Sequence, residues 1–204
     1  LWYVVPSDPR ITHDIYLPKL GREAKPKAKR GDRVVVEITE WPSRHNSPEG
    51  KLLEVIGSPS APGVDVESVI RQYELPTRFP GKVEAEARRL GTVVTEADRK
   101  GRRDCRKHCV VTIDPVDARD FDDAISLERI EGRRWRLWVH IADVSHYVTP
   151  KSALDKEARQ RGNSTYLIDR VIPMLPEELS NELCSLKPGV DRLERSVEFL
   201  LSGN

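Results

Sequence analysis

The chain has 204 residues, enough for one or two domains with a buried core, and its 34 basic and 33 acidic side chains leave a formal net charge of +1. So balanced a charge assigns neither a nucleic-acid nor a membrane partner by itself, and no apolar run nears the roughly 20 residues of a membrane-spanning helix. The opening LWYVVPSDPR is apolar for only about five positions and lacks the basic start and small-residue cleavage site of a secretory signal. A soluble, cytoplasmic protein with no membrane partner is expected.

Residues 1–57 read as short strands. Trp2 to Val5 is an apolar start, Pro6 to Pro9 a turn, and Ile15 to Leu17 a second brief strand. RVVVEITE, from Arg33 to Glu40, is β-branched and partly alternating. Trp41 to Gly50 reads as a loop, and Lys51 to Ile56 as another strand. Short strands at this spacing, with no helix between them, suggest part of an OB-type barrel.

GSPSAPG at 57–63 is a linker signal, and 58–108 reads as a helical connector. Helical spacing over 65–74 places Val66, Val69, Ile70 and Tyr73 on one face. Spacing over 80–90 does the same for Val83, Ala87 and Leu90, with Pro80 near the start. The third part, 109–204, is α/β or α+β. Cys109 to Ile113, Ala124 to Leu127 and Trp135 to Ile141 read as strands, with Leu137, Val139 and Ile141 on one side and Trp138 and His140 on the other. Residues 151–161 form a helix with Ser152 as its cap, Arg170 to Leu175 is apolar, and Pro176 to Leu186 is a further candidate helix. The whole is a mixed β and α/β chain.

Charge is clustered. Bases gather at Arg22, Lys25, Lys27, Lys29, Arg30 and Arg33, and again at Arg99, Lys100, Arg102, Arg103, Arg106 and Lys107. Such stretches attract phosphates or simply form solvated faces. The cysteines, Cys105, Cys109 and Cys184, are odd in number and fit no disulfide framework. Reduced thiols are expected. Cys105, His108 and Cys109 lack a fourth ligand at zinc spacing.

The segment TIDPVDARDFDDA carries the chemistry. Asp114 is expected to end an apolar strand, because Pro115 cannot donate to a ladder. Asp120, Asp122 and Asp123 follow in a compact loop. In an extended chain Asp120 and Asp122 would share a face and Asp123 would point away, so convergence needs a bend near Ala118. Clustered carboxylates repel unless protons or cations neutralise them. Hard divalent ions prefer oxygen ligands, and four carboxylates suit two ions that cleave a phosphodiester. A solvated acidic loop remains the other reading. A calcium loop of the helix–loop–helix kind is not, since its glycine and distant glutamate are missing.

At these residues the sequence resembles the ribonuclease II and ribonuclease R family, on the ribonuclease R side. The resemblance rests on TIDPVDARDFDDAISLE at 112–128, LWVHIADVSHYV at 137–148, RGNSTYL from 161 and RVIPMLPEELSNELCSL ending at 186. Upstream, VVPSDPR, DIYLP, GDRVVVEITEWP and GKLLEVIG resemble the family's second cold-shock domain. The resemblance implies a partial cold-shock barrel over 1–57, the helical connector, and the amino-terminal portion of an RNB exoribonuclease domain over 109–204. It implies processive, magnesium-dependent hydrolysis of single-stranded RNA from the 3′ end to nucleoside 5′-monophosphates. It further implies that the catalytic domain continues past residue 204, with an arginine and a glutamate near the scissile phosphate and a carboxyl-terminal RNA-binding barrel beyond.

Within that family, Asp114, Asp120, Asp122 and Asp123 match the four positions around two magnesium ions, and Asp117 does not. Tyr166 matches the tyrosine that packs on the terminal nucleotide, a contact that suits any base. Arg119 is a candidate phosphate ligand. Asp143 reads as a partner behind the metal ligands or as a turn cap, His140 as a packed side chain rather than a general base. Tyr3, Tyr16 and Trp41 are candidate stacking residues, with Trp41 beside Pro42 also readable as a loop anchor. Cys105 and Ile168 depart from the family's usual leucine and proline. Two other functions stay open: an RNA-binding module that does not cleave, and a scaffold whose aspartates only neutralise neighbouring arginines.

Overall fold

The computed structural model describes residues 2–18, 27–43 and 46–202. Arg22 and Lys25 of the first basic cluster lie outside the described residues. The chain divides into two compact units, Leu1–Leu75 with Leu167–Asp169, and Pro76–Tyr166 with Arg170–Asn204.

In the first unit, β1 (Tyr3–Val4), β2 (Ile15–Tyr16), β3 (Arg33–Glu40) and β4 (Glu49–Gly57) form one sheet in the order β1-β2-β4-β3. The β3–β4 and β1–β2 pairs are antiparallel, and β2 runs parallel to β4. The expected loop from Trp41 to Gly50 is shorter than its composition suggests, because β4 already begins at Glu49. Gly50 is there for close approach rather than for a turn. A Cβ at that position would stand 2.6 Å from Val36 Cγ1 and 2.8 Å from Ile15 Cγ2. Helix α1 (Val64–Gln72) lies against β3 and β4, and Arg71 pairs with Glu54 at 2.8 Å. Its buried stripe runs through Val64 and Ile70, while Val69 and Tyr73 of the expected face are exposed. The sheet selects the stripe that covers it, and counting apolar residues along the helix could not.

The second unit opens with α2 (Gly81–Leu90), whose Val83 and Ala87 are buried as the spacing predicts. Helix α3 (Glu96–Arg99) follows, held by a reciprocal cap between Thr95 and Asp98. The T-E-A-D string announces that cap, and it is an element the reading by periodicity passed over. Strands β5 (Val110–Val111), β6 (Asp123–Ile130), β7 (Arg134–Ala142) and β10 (Glu194–Ser202) build an antiparallel sheet in the order β10-β7-β6-β5. The strand expected over Cys109 to Ile113 shrinks to two exposed residues, because β5 pairs only with Ile125 and Ser126 at the sheet edge. Strand β10 had no counterpart in the periodic reading and pairs with β7 along its whole length.

Helices α4 (Val144–Tyr147) and α5 (Ala153–Arg161) and the small ladder of β8 (Thr165–Tyr166) with β9 (Val171–Ile172) complete this unit. Ser152 caps α5, accepting from the Asp155 amide at 3.0 Å. The expected helix over Pro176 to Leu186 is a wide π-type turn, Glu178–Leu183, in which the Cys184 amide reaches back to the Leu179 carbonyl at 2.8 Å. The core gathers Val83, Ala87, Leu154, Leu179, Leu183 and Leu193 between α2, α5 and this turn. Leu154, Leu179 and Leu183 are wholly buried, each worth about 2 kcal/mol in apolar transfer.

Candidate metal centre

The acidic segment lies between β5 and β6 of the second unit's sheet and ends in the first residue of β6. Asp123 is the first residue of β6, paired with Ile141, and the Asp122 carbonyl accepts from the Ala142 amide at 2.9 Å. Asp123 therefore belongs to a strand and not to the expected loop. Asp114 does not end a strand either: it lies beyond Val111 in exposed chain. The bend needed upstream of the strand is a turn over Pro115–Ala118, closed by the Ala118 amide on the Pro115 carbonyl at 3.0 Å.

Between that turn and β6, the backbone is held from behind. Ser185, wholly buried, donates from its hydroxyl to the Arg119 carbonyl at 2.6 Å and accepts from the Phe121 amide at 3.1 Å. The Leu186 amide donates to the Phe121 carbonyl at 2.8 Å. Sequence reasoning missed Ser185. Its partner Phe121 is 64 positions away, and the only local sign is one hydroxyl in the otherwise apolar Leu-Cys-Ser-Leu run.

The carboxylates of this segment oppose one another's ionisation. Asp122 still reaches solvent. Partial burial, then the charges of Asp120, Asp123 and Asp114, push its carboxyl up from the ordinary value. Asp120 is half-buried, and its Oδ2 accepts a short hydrogen bond from the Tyr166 hydroxyl. That bond comes first, and burial second, in holding the Tyr166 phenol up at about 12. The Tyr166 ring itself is 65% exposed. Asp114 and Asp117 are exposed.

Among the described residues, no three or more histidine, cysteine, aspartate or glutamate side chains are placed to hold a metal ion as they stand. The donor chemistry nevertheless fits a hard divalent cation. Every candidate ligand is a carboxylate, and the repulsion on Asp122 is what a cation would relieve. Arg119 is exposed and, with Arg88, Lys187, Phe79 and Asn181, lines a cleft of about 890 Å³ in the same unit.

The remaining candidates separate clearly. Asp143 is buried and stands at the N-cap position of α4, but its side chain makes no cap hydrogen bond there. Its carboxylate takes Arg102 Nη2 at 2.7 Å, Arg195 Nε at 3.0 Å and the Ser145 hydroxyl at 2.8 Å. Burial opposes ionisation there, and these donors outweigh it, leaving the carboxyl near 2. His140 is wholly buried, as its packing role predicts. Its Nε2 lies 2.8 Å from the Ser126 hydroxyl, and its Nδ1 3.0 Å from Glu194 and 2.8 Å from Ser196. In the first unit, Tyr3 and Tyr16 have ring centroids 6.5 Å apart, with Tyr3 exposed. Trp41 is also exposed, which does not suit a loop anchor. It borders a hollow of about 260 Å³ with Arg10, His13 and Ile38. All three thiols are free, and Cys184 is buried. No helix among the described residues is long and apolar enough to cross a membrane.

The family model described as RNB domain matches residues 102–204, and that described as Cold shock domain matches residues 3–80. Ribonuclease R of Vibrio parahaemolyticus is 50% identical over 200 residues, covering 98% of this chain and 24% of that protein. The structure of Mycoplasma genitalium RNase R in complex with double-stranded RNA superposes with a TM-score of 0.79 at 30% identity, covering 94% of this chain and 34% of that one. Its complex with ribose-methylated single-stranded RNA gives 0.76 at 29% identity, covering 91% and 29%. The chain spans about a quarter of the length of the curated relatives it matches. Because the matched RNB segment includes the whole acidic segment, the Ser185 contact behind it and Tyr166, this chain belongs to the RNB domain family, with a cold-shock domain preceding.

Proposed function

We propose that this chain carries the metal-binding portion of a magnesium-dependent 3′-to-5′ exoribonuclease that degrades single-stranded RNA processively to nucleoside 5′-monophosphates. The observation that carries the reading is the joining of Asp120 to an exposed aromatic ring, Tyr166, on a segment where the charges of Asp120, Asp123 and Asp114 oppose ionisation of Asp122. A terminal nucleotide stacked on that ring would present its phosphate towards the aspartates. Stacking accepts any base, as a degradative enzyme requires. The relatives solved with RNA support RNA as the ligand.

Asp114, Asp120, Asp122 and Asp123 would hold two magnesium ions. Bound there, divalent cations supply an activated water and neutralise charge on phosphorus. The chain's own contribution is placement. The Tyr166 hydroxyl, tied to Asp120, fixes the ring against the acidic segment. Arg119, exposed and next to Asp120 in the chain, would offer its guanidinium to a phosphate oxygen. Exposed Trp41 and Tyr3 offer stacking surfaces on the cold-shock unit, and Lys27, Lys29, Arg30 and Arg33 offer phosphate contacts. We place the protein in the cytoplasm, where free Cys105, Cys109 and Cys184 stay reduced.

A second reading has its own support. The acidic side chains do not converge on a cation among the described residues, so this stretch alone would bind RNA without cutting it. Incubation with 5′-labelled single-stranded RNA, with magnesium or with EDTA, tests both. Magnesium-dependent shortening from the 3′ end, absent in Asp122→Asn, supports the nuclease reading. Binding without shortening supports the second. Shortening that persists in EDTA and in Asp122→Asn overturns the metal assignment.

A further inference from the structure

Four backbone atoms between Arg119 and Asp122 are tied to the rest of the second unit. They are the Arg119 carbonyl, the Phe121 amide and carbonyl, and the Asp122 carbonyl. One side chain, Ser185, accounts for two of them. Its hydroxyl donates to one residue and accepts from another two positions along, so it bridges the peptide that carries Asp120. Ser185 is itself held hard. Its amide donates to the Glu182 carbonyl at 3.1 Å, and its carbonyl accepts from the Lys187 amide at 2.8 Å and Arg192 Nε at 3.0 Å. Wholly buried Leu183 and Cys184 precede it in the core.

Ser185 is buried, polar and aimed at irregular backbone, where its hydroxyl satisfies a carbonyl and an amide that an apolar residue would leave unpaired. The carboxylates on this segment repel one another, and that repulsion tends to spread the chain. A rigid bridge behind the backbone resists the spreading.

We propose that Ser185 is a positioning residue for the acidic segment, holding the backbone of Arg119–Phe121 so that Asp120 and Asp122 meet a divalent cation together. The inference rests on the metal reading above, and it concerns a residue that touches neither metal nor RNA. Groups that orient metal ligands from behind change metal affinity about 10- to 100-fold when removed.

The test uses the full chain, with manganese as the probe, titrated by electron paramagnetic resonance, and hydrogen exchange read in parallel. Ser185→Ala removes the hydroxyl. Ser185→Cys keeps the volume but substitutes a weak donor, which guards against collapse of a small cavity. Ser152→Ala, at the α5 cap, is the stability control, since capping losses run to about 1 kcal/mol. Asp122→Asn tests the metal reading itself. The expected result is that both Ser185 variants bind manganese about 10- to 100-fold more weakly, with faster exchange at the Phe121 amide, while Ser152→Ala binds normally. Unchanged affinity and unchanged Phe121 exchange in Ser185→Ala overturn the proposal while leaving the metal reading intact. Equal weakening in Ser152→Ala also overturns it, because general loss of stability then explains the effect. If the unsubstituted chain takes up no manganese, the metal reading fails and the role of Ser185 towards a cation fails with it. Faster Phe121 exchange in Ser185→Ala alone does not rescue it.

Discussion

Arg102 donates from Nη2 to the buried carboxylate of Asp143 at 2.7 Å, joining the segment after α3 to the end of β7. Arg195, from β10, meets the other carboxylate oxygen at 3.0 Å but is 74% exposed, so its share is small. Removing the carboxylate would take away the charged acceptor of the partly buried Arg102 guanidinium, leaving it the Asp98 and Glu194 carbonyls. Asp143→Ala should cost about 3 kcal/mol in a urea unfolding midpoint measured at neutral pH. A loss below about 0.5 kcal/mol would show that solvent replaces the pair.

The same carboxyl sets an acid limit. Its folded value is about 2 against an ordinary 3.8. A depressed value means the stabilisation is present in full above the unfolded pKa and is lost as pH falls from near 4 towards 2. The amount is about 2 kcal/mol. Stability measured over that window should fall less in Asp143→Asn than in the unsubstituted chain.

Asp122 has the opposite sign. Its folded pKa is raised, first by burial and then by Asp120, Asp123 and Asp114. Its contribution to stability is therefore present below the unfolded pKa and is lost as pH rises through the folded value. Without divalent cation, Asp122→Asn should melt higher than the unsubstituted chain at pH 7. Magnesium should raise the melting temperature of the unsubstituted chain and leave the variant unmoved. Calorimetry with and without magnesium decides this, and an equal magnesium shift in both chains would remove Asp122 from the cation site.

Tyr166 should divide into ring and hydroxyl functions. Tyr166→Ala removes the stacking surface, worth about 1–3 kcal/mol per base. Under the proposed exoribonuclease activity, the final undegraded product should therefore change length. Tyr166→Phe keeps the ring and loses only the bond to Asp120, so product length should hold while turnover falls. Product ladders on a sequencing gel separate the two. An unchanged ladder for Tyr166→Ala would place the terminal base elsewhere.

His140→Leu tests whether the buried imidazole is structural. It would leave the Ser126 hydroxyl and Glu194 short of a partner, at a cost of about 2 kcal/mol. Manganese affinity and RNA affinity, measured well below the melting transition, should not change. Lost cleavage with unaltered stability would instead return His140 to the chemistry.

Much of the fold was legible because it depends on short-range rules. RVVVEITE is a strand by its β-branched pattern, and Ser152 caps a helix because its hydroxyl meets an amide three residues on. Val83 and Ala87 fall on a buried stripe by helical spacing alone. The four aspartates and Tyr166 were marked by residue type and by family resemblance. What sequence could not supply was every relation spanning many positions. Gly50 looked like a turn residue until Val36 and Ile15 were seen against it. Strand β10 is legible only beside β7. Asp143 read as a cap or a support for metal ligands, yet it answers Arg102 and Arg195. Local composition thus marked the side chains proposed to carry the chemistry. The tertiary structure decided what stands behind them, because Ser185 reaches Arg119 and Phe121 only once the π-type turn has packed into the core.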